Sequence, residues 1–318
     1  DVAPSRGLGD VYKRQMKNYQ RLEGLVAASF TPMSDNGEVK TCEIIKYAEF
    51  LINQGVAGVF VNGTTGEGSS LTTEERKELL ECWVKAVAGR MKVIAHVGSF
   101  CLPQSIELAT HAQRCGADAI ASIAPSFFKP SAPKDLIAFF KPIAAAASEL
   151  PFYYYNMPSM TGVDLSVEQF LMEGKKEIPT LAGVKFTHNN LMEMGACISL
   201  QGGAFEVLHG YDEILIAGLS LGAVAGVGST YNYFAPVYRK IMDAMKINDV
   251  VTARAYQMKS IEMVKVIIKY GGGVRGGKAI MNLVGIDCGP CRLPIAPFST
   301  QEYESLKSDL EKISFFEQ

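Results

Sequence analysis

The sequence lacks an excess of charge of either sign. Its 318 residues include 31 Lys and Arg against 33 Asp and Glu. A protein that binds nucleic acid or anionic lipid through phosphates carries a basic patch or stripe. We therefore expect neither nucleic acid nor a membrane surface as a partner.

Long apolar runs and a secretory signal are missing too. No stretch reaches the roughly 18 apolar residues that a membrane-spanning helix needs. Residues 1–15 have no apolar signal-peptide core, and we expect them to be a disordered or non-native leader before a natural start at Met16. The cysteines number only seven and are scattered, unlike the dense set of a small secreted domain. Together these features predict a protein of the cytoplasm.

Histidine is scarce, and this bears on metal binding. The four histidines lie on different predicted elements, without the spacing of metal ligands. We expect no metal site and a structural role for each histidine. For His188 and His209, which lie beside strands with polar ends, lining a pocket stays open as an alternative.

What the chain does have is a regular alternation of two kinds of segment. Short β-branched or aromatic runs are each followed by a longer amphipathic segment, which is typical of a parallel sheet covered by helices. The runs span residues 24–30, 58–63, 92–98, 119–125, 152–156, 181–186, 206–210 and 223–229. Eight such units fit a closed (β/α)8 TIM barrel better than an open doubly wound sheet.

The remainder of the chain has a helical pattern only. Helices are predicted near residues 235–246, 248–270, 277–284 and 300–313. The expected organisation is therefore an α/β barrel over 16–234 and a C-terminal helical extension over 235–318, packed on the barrel.

In such a barrel the chemistry lies at the carboxyl ends of the strands. Lys185 follows the apolar residues 181–184 in the sixth run. Burial lowers a lysine pKa and exposes an amine that can attack a ketone. The alternative is a lysine that extends to solvent from the strand end.

Other polar residues end neighbouring runs. Tyr155, one strand away, can reach the same pocket and move a proton, or can be a core aromatic. Thr64 and Thr65 lie in a glycine-flanked turn that suits a carboxylate, or they cap the next helix. Asp212 and Glu213 can bind hydroxyl groups, or they only begin a helix. Ser229, after the eighth run, can also bind hydroxyls.

Taken together, these residues resemble the N-acetylneuraminate lyase and dihydrodipicolinate synthase superfamily from about Gly24 onward. The shared motifs are GTTGE at 63–67, Tyr155-Asn156 with Pro158, and GVK at 183–185. Two further segments, GYDE at 210–213 and GSTYN at 228–232, resemble the lyase branch. Met160 also resembles the lyases, because the synthases place an arginine there.

The resemblance implies a class I aldolase that cleaves sialic acid (N-acetylneuraminate) reversibly to N-acetylmannosamine and pyruvate. It implies a Schiff base on Lys185 and a proton relay through Tyr155, with no metal or organic cofactor. It further implies that the carboxylate and the hydroxylated tail are bound by Thr64, Thr65, Thr187, Gly210, Asp212, Glu213 and Ser229. Small molecules would be the ligands, and the assembly would be a homotetramer.

Some relatives carry tyrosines where this chain has Phe127 and Phe128. A phenyl ring cannot pass protons, so any relay must use Tyr155 with Thr64 or solvent. Two alternative functions stay open. The chain can be a related pyruvate-dependent aldolase or dehydratase acting on another 2-keto acid, or a non-catalytic barrel that binds a keto acid.

Two motifs point elsewhere and are set aside. Cys288 and Cys291 form a CGPC sequence, but too few residues follow for the fold in which that redox motif works. Residues 272–278 approximate a phosphate-binding loop, but Ala279 stands where Ser or Thr is needed. We expect that segment to be a loop between helices.

Overall fold

The computed structural model describes residues 20–317. Eight parallel strands, each paired with its neighbours, close into a ring in which β8 pairs with β1. They are β1 Gly24–Ala28, β2 Gly58–Val61, β3 Lys92–His96, β4 Ala119–Ile123, β5 Phe152–Asn156, β6 Leu181–Phe186, β7 Glu206–His209 and β8 Ala225–Gly228. The predicted TIM barrel is confirmed, and each strand falls within its predicted run.

The helices surround the ring and continue beyond it. They are α1 Ile44–Asn53, α2 Thr73–Val87, α3 Leu102–Cys115, α4 Pro133–Ala145, α5 Pro158–Thr161, α6 Val167–Glu177, α7 Leu191–Ser199, α8 Leu215–Ser220, α9 Tyr231–Lys246, α10 Val250–Lys269, α11 Gly272–Leu283 and α12 Thr300–Lys312. Among the described residues, no helix is long and apolar enough to cross a membrane.

The division predicted at residue 234 falls inside α9. The first turn of that helix is attached to the barrel, because the Asn232 amide donates to the Ala28 carbonyl oxygen at 2.7 Å. Residues 1–15 lie outside the described residues, and the proposed segment boundaries remain predictions.

The segment predicted as an inter-helix loop at 272–278 is instead the start of α11. The prediction was wrong because tertiary packing outweighs the low helix propensity of the glycines in this segment. In the structure they allow close packing: a Cβ on Gly276 would lie 3.0 Å from the Ile267 carbonyl oxygen.

The strands are buried on both sides, and alternate residues face two different cores. Tyr153 and Tyr155 belong to the cluster that fills the ring. Phe152 and Tyr154 belong to the layer between the ring and the helices. This alternation is the two-residue period of a strand, and it decides which side chains can meet inside the barrel.

Gly183 keeps β6 against β7. A Cβ at this position would lie 1.9 Å from the Glu206 carbonyl oxygen. No side-chain rotation relieves a contact with backbone, so the two strands could not pair as they do.

We predict that Gly183→Ala lowers the free energy of unfolding in urea by about 1–3 kcal/mol or more, the usual cost of overpacking. Gly195→Ala is the control, because its Cβ would meet Leu221 at an ordinary 3.5 Å within α7. That variant should unfold no more easily than the parent, since Ala favours helix over Gly. Equal stability of the two variants would contradict the role given to Gly183.

Candidate active site

Lys185 and Tyr155 are side by side at the carboxyl end of the barrel. Their strands pair in a register that places Tyr155 opposite Lys185. The lysine Nζ lies 3.8 Å from the centroid of the Tyr155 ring and 4.5 Å from that of Phe60. Lys185 is only 4% exposed. The amine therefore lies among aromatic rings inside the closed ring of strands.

Phe60 is a member of this group that the sequence did not reveal. It faces the barrel interior from β2 and packs edge-on against Tyr155, with ring centroids 5.6 Å apart. All four residues of β2 are buried. A strand buried on both faces shows no polar and apolar alternation, so the sequence does not indicate which residues point inward.

The Tyr155 hydroxyl has two neighbours. It lies 3.3 Å from Thr64 Oγ1 and donates to Met157 Sδ at 3.0 Å. Thr64 thus connects the turn after β2 with the tyrosine at the end of β5. The structure brings Lys185, Tyr155 and Thr64 together.

His96 supports the far side of the tyrosine ring. The two rings meet edge-on with centroids 5.9 Å apart. Burial, together with the nearby Arg76 charge, lowers the pKa of His96 to about 3. Its Nδ1 lies 3.0 Å from the Asn62 carbonyl oxygen, to which the neutral ring donates. His96 is therefore an uncharged packing group, as predicted.

The GTTGE turn is compact and held from several sides. Its backbone is closed by hydrogen bonds from Glu67 N–H to the Thr64 oxygen at 3.1 Å and from Gly68 N–H to the Gly63 oxygen at 3.0 Å. Glu67 has a left-handed φ of 54°. Thr65 is 9% exposed, and Thr64 is half-buried.

The remaining predicted residues lie at the ends of β6, β7 and β8. Thr187 is buried, and its Oγ1 has no hydrogen-bond partner within residues 20–317. Gly210 packs directly on it, because a Cβ there would lie 2.0 Å from Thr187 Oγ1. Glu213 and Ser229 are half-buried. These groups occupy the same end of the barrel as Lys185.

Asp212 joins the ends of β7 and β8. Its Oδ2 accepts from Thr230 N–H at 2.9 Å and from Thr230 Oγ1–H at 2.6 Å. The other oxygen is packed against Gly228, where a Cβ would lie 1.6 Å from Oδ1. Burial raises the pKa of Asp212 to about 6, although the Thr230 hydrogen bonds act in the opposite direction.

His209 does not line the pocket. Its ring lies outside the strands, with Nδ1 3.4 Å from Met194 Sδ and Gly218 directly beneath the ring. The pocket alternative was wrong for His209 because its register partner is Phe186, whose side chain also faces the helices. Within residues 20–317, no three His, Cys, Asp or Glu side chains are grouped as metal ligands.

The sequence profile of the dihydrodipicolinate synthetase family matches residues 21–313. The chain belongs to this family. Among its relatives, N-acetylneuraminate lyase of Mus musculus is 44% identical over 301 residues, which cover 93% of this chain and 94% of the mouse protein.

Solved structures of the family agree with this. The N-acetylneuraminate lyase of Proteus mirabilis superimposes with a TM-score of 0.90 at 38% identity, covering 93% of this chain and all (100%) of that one. The N-acetylneuraminate lyase (sialic acid aldolase) of Aliivibrio salmonicida has a TM-score of 0.90 at 39% identity, covering 93% and 98% of the two chains.

Phe127 and Phe128, the departure from some family members, are exposed on the loop between β4 and α4. They are 78% and 86% exposed and pack edge-on against each other. The Tyr155 hydroxyl lies 3.3 Å from the Thr64 hydroxyl, and the proton relay through these two groups stays a prediction.

The raised pKa of Asp212 predicts a pH dependence of stability. An acid whose pKa is higher in the folded state stabilises the fold below its unfolded value of 3.8 and loses that contribution as the pH rises through about 6. Asp212→Asn does not titrate. Its unfolding free energy relative to the parent should therefore increase between pH 4 and pH 7, by up to about 3 kcal/mol. Urea unfolding of both proteins at each pH measures this difference in unfolding free energy. A difference that stays constant between pH 4 and pH 7 would contradict the raised pKa.

Proposed function

We propose that this chain is an N-acetylneuraminate lyase, which cleaves sialic acid reversibly to N-acetylmannosamine and pyruvate through a Schiff base on Lys185. The observation that carries the proposal is the placement of the Lys185 amine against Tyr155, whose hydroxyl neighbours Thr64. Similarity to the mouse and bacterial lyases over 93% of this chain favours this substrate over other 2-keto acids.

Lys185 is the proposed nucleophile. In its neutral form the amine adds to the C2 ketone of open-chain sialic acid. Uptake of one proton from the surrounding water and loss of the C2 oxygen as water then give a protonated imine. The surrounding aromatic rings limit the access of water to this centre. The imine withdraws electrons from the C3–C4 bond, so no metal or organic cofactor is needed.

Tyr155 is the proposed proton relay. Its phenolate form takes the proton of the C4 hydroxyl as the C3–C4 bond breaks, which releases N-acetylmannosamine and leaves an enamine on Lys185. Protonation of that enamine at C3 and hydrolysis of the imine release pyruvate and restore the amine. Thr64, at 3.3 Å, can hold the tyrosine hydroxyl in place.

Substrate binding is assigned to the rim of the barrel. Thr64 and Thr65 bind the carboxylate with the turn around them. The hydroxylated tail lies along the ends of β6, β7 and β8, where we place Thr187, Gly210, Asp212, Glu213 and Ser229. Support comes from the free hydroxyl of Thr187 in the described part of the chain and from the position of Asp212, which joins the ends of β7 and β8.

We further propose that the enzyme works in the cytoplasm as a homotetramer. Support for the compartment is the free state of all seven cysteines, which lie within the described residues. The tetramer rests on the family resemblance alone.

Borohydride reduction in the presence of pyruvate tests the nucleophile. The protein should gain one reduced pyruvate adduct on Lys185, and Lys185→Ala should lose both the adduct and turnover of sialic acid. Mass spectrometry of the digested protein locates the adduct.

Lys175 is the matched control for this experiment. Burial lowers its pKa to about 8, and its Nζ donates to the Leu181 oxygen at the opposite end of β6 at 2.8 Å. Lys175→Ala should keep the adduct and the turnover. An adduct on Lys175, or one that persists in Lys185→Ala, would refute the assignment.

Tyr155→Phe tests the relay, because it keeps the aromatic face beside Lys185 and removes only the hydroxyl. Turnover of sialic acid should fall by about 10²–10⁴-fold, the usual contribution of a positioned acid–base group, while borohydride still traps pyruvate. Tyr154→Phe is the control, since that hydroxyl points to Asn156 on the outer side of the strand. Full activity of Tyr155→Phe would exclude the relay.

A panel of other 2-keto acids, assayed with the parent, separates the lyase from a sister aldolase.

A further inference from the structure

A buried ion pair connects the C-terminal helices to the GTTGE turn. Lys278 Nζ, on α11, lies 2.8 Å from Glu67 Oε1, and the two side chains are 1% and 2% exposed. The second carboxylate oxygen accepts from the Arg292 backbone N–H at 2.7 Å. Both oxygens of Glu67 are therefore held by residues more than 200 positions later in the chain.

Such a pair is poorly explained by stability alone. Removing two charges from water costs free energy that their attraction repays only in part, and well-packed apolar residues of similar size often stabilise a protein as much or more. What an ion pair with a second hydrogen bond supplies is geometry. Lys278 and the Arg292 N–H donate to the two Glu67 oxygens from fixed positions, and the Cys291 thiol also interacts with the carboxylate.

The turn needs such fixing. Glu67 adopts a left-handed φ of 54°, which side-chain-bearing residues rarely favour. Its neighbours leave no room for adjustment: a Cβ on Gly66 would lie 2.9 Å from the Ser29 oxygen, and one on Gly68 would lie 1.9 Å from the Asn62 oxygen. The hydrogen bonds within the turn are therefore supplemented by contacts from residues distant in the sequence, which help to hold it in one conformation.

The position of Glu67 is transmitted to the site by the backbone. Glu67 N–H donates to the Thr64 oxygen at 3.1 Å, and Thr64 Oγ1 contacts the Tyr155 hydroxyl at 3.3 Å. Lys278 itself touches none of the proposed catalytic groups in the contacts of residues 20–317. Any effect of Lys278 on the reaction passes through the turn.

We propose that Lys278 is a positioning residue: its ion pair with Glu67 holds Thr64 and Thr65 where they bind the keto-acid carboxylate. The C-terminal extension thereby sets the affinity of the barrel for its substrate. This inference rests on the proposed function for the identity of the carboxylate, but the positioning of the turn can be tested independently.

The test uses the variant Lys278→Met and the double variant Lys278→Met/Glu67→Gln in the full-length protein. The single variant leaves an uncompensated buried carboxylate and should be less stable. The double variant removes both charges and keeps an acceptor for the Arg292 N–H, so its stability should recover. Both variants, however, lose the Lys278–Glu67 ion pair that positions the GTTGE turn.

For the double variant we expect the pyruvate concentration that gives half-maximal borohydride trapping on Lys185 to rise about tenfold or more, as when a binding group is misplaced. KM for sialic acid should rise in parallel, and kcat should fall as well, because Thr64 also contacts the Tyr155 hydroxyl. Hydrogen–deuterium exchange of the peptide that contains residues 62–68 should become faster. A double variant that matches the parent in half-saturation and exchange would overturn the proposal, as would a fall in kcat at unchanged KM.

Asp309→Asn is the matched control within the extension. It disrupts contacts of Asp309 with Lys269, Tyr270 and Lys312, which lie at 2.5 to 2.8 Å. None of these residues is among those that hold the Glu67 carboxylate. The pyruvate concentration for half-maximal trapping and the hydrogen–deuterium exchange of the turn should stay at parent values. A rise equal to that of the double variant would refute a specific role for Lys278.

If the parent protein traps no pyruvate, the proposed function fails, and the exchange measurement still decides whether Lys278 fixes the turn.

Discussion

Closure of eight parallel strands is the constraint on which the site depends. Each strand can send only alternate side chains inward, and the register between neighbours decides which of those lie at the same height. Pairing of Tyr155 with Lys185 places a phenol ring against an amine at one rim of the ring. Had the register slipped by one residue, Tyr154 and its outward-facing neighbours would have taken that place.

The closed ring also determines the environment of the amine. Phe60 and Tyr155 provide aromatic faces, and His96, kept neutral by burial, fills the space behind the tyrosine. Apart from Lys185 and Tyr155, the polar groups proposed for the site come from the segments that follow the strands rather than from the strands themselves. The site therefore combines a rigid, apolar floor with a polar rim, an arrangement that lets the rim vary while the reacting groups stay fixed.

The sequence predicted much of this because some of its signals are local. Lys185 and Tyr155 stand out as polar residues at the ends of apolar runs, and the alternation of runs and amphipathic segments predicted the barrel. Other features depend on partners that a local pattern does not reveal. The inward direction of Phe60 and the outward direction of His209 follow from register, and Lys278 finds its partner 211 residues away.

Gly228 has a consequence for attempts to change the sugar preference of the barrel. The Asp212 carboxylate occupies the space that any larger residue at this position would need. A mutant library directed at the rim therefore gains nothing from diversity at residue 228. Any residue other than glycine there would displace Asp212 and break its hydrogen bonds with Thr230, which link β7 to β8. Glu213 and Ser229 adjoin this contact in the sequence and are half-buried rather than buried, so diversity is better directed to them than to residue 228.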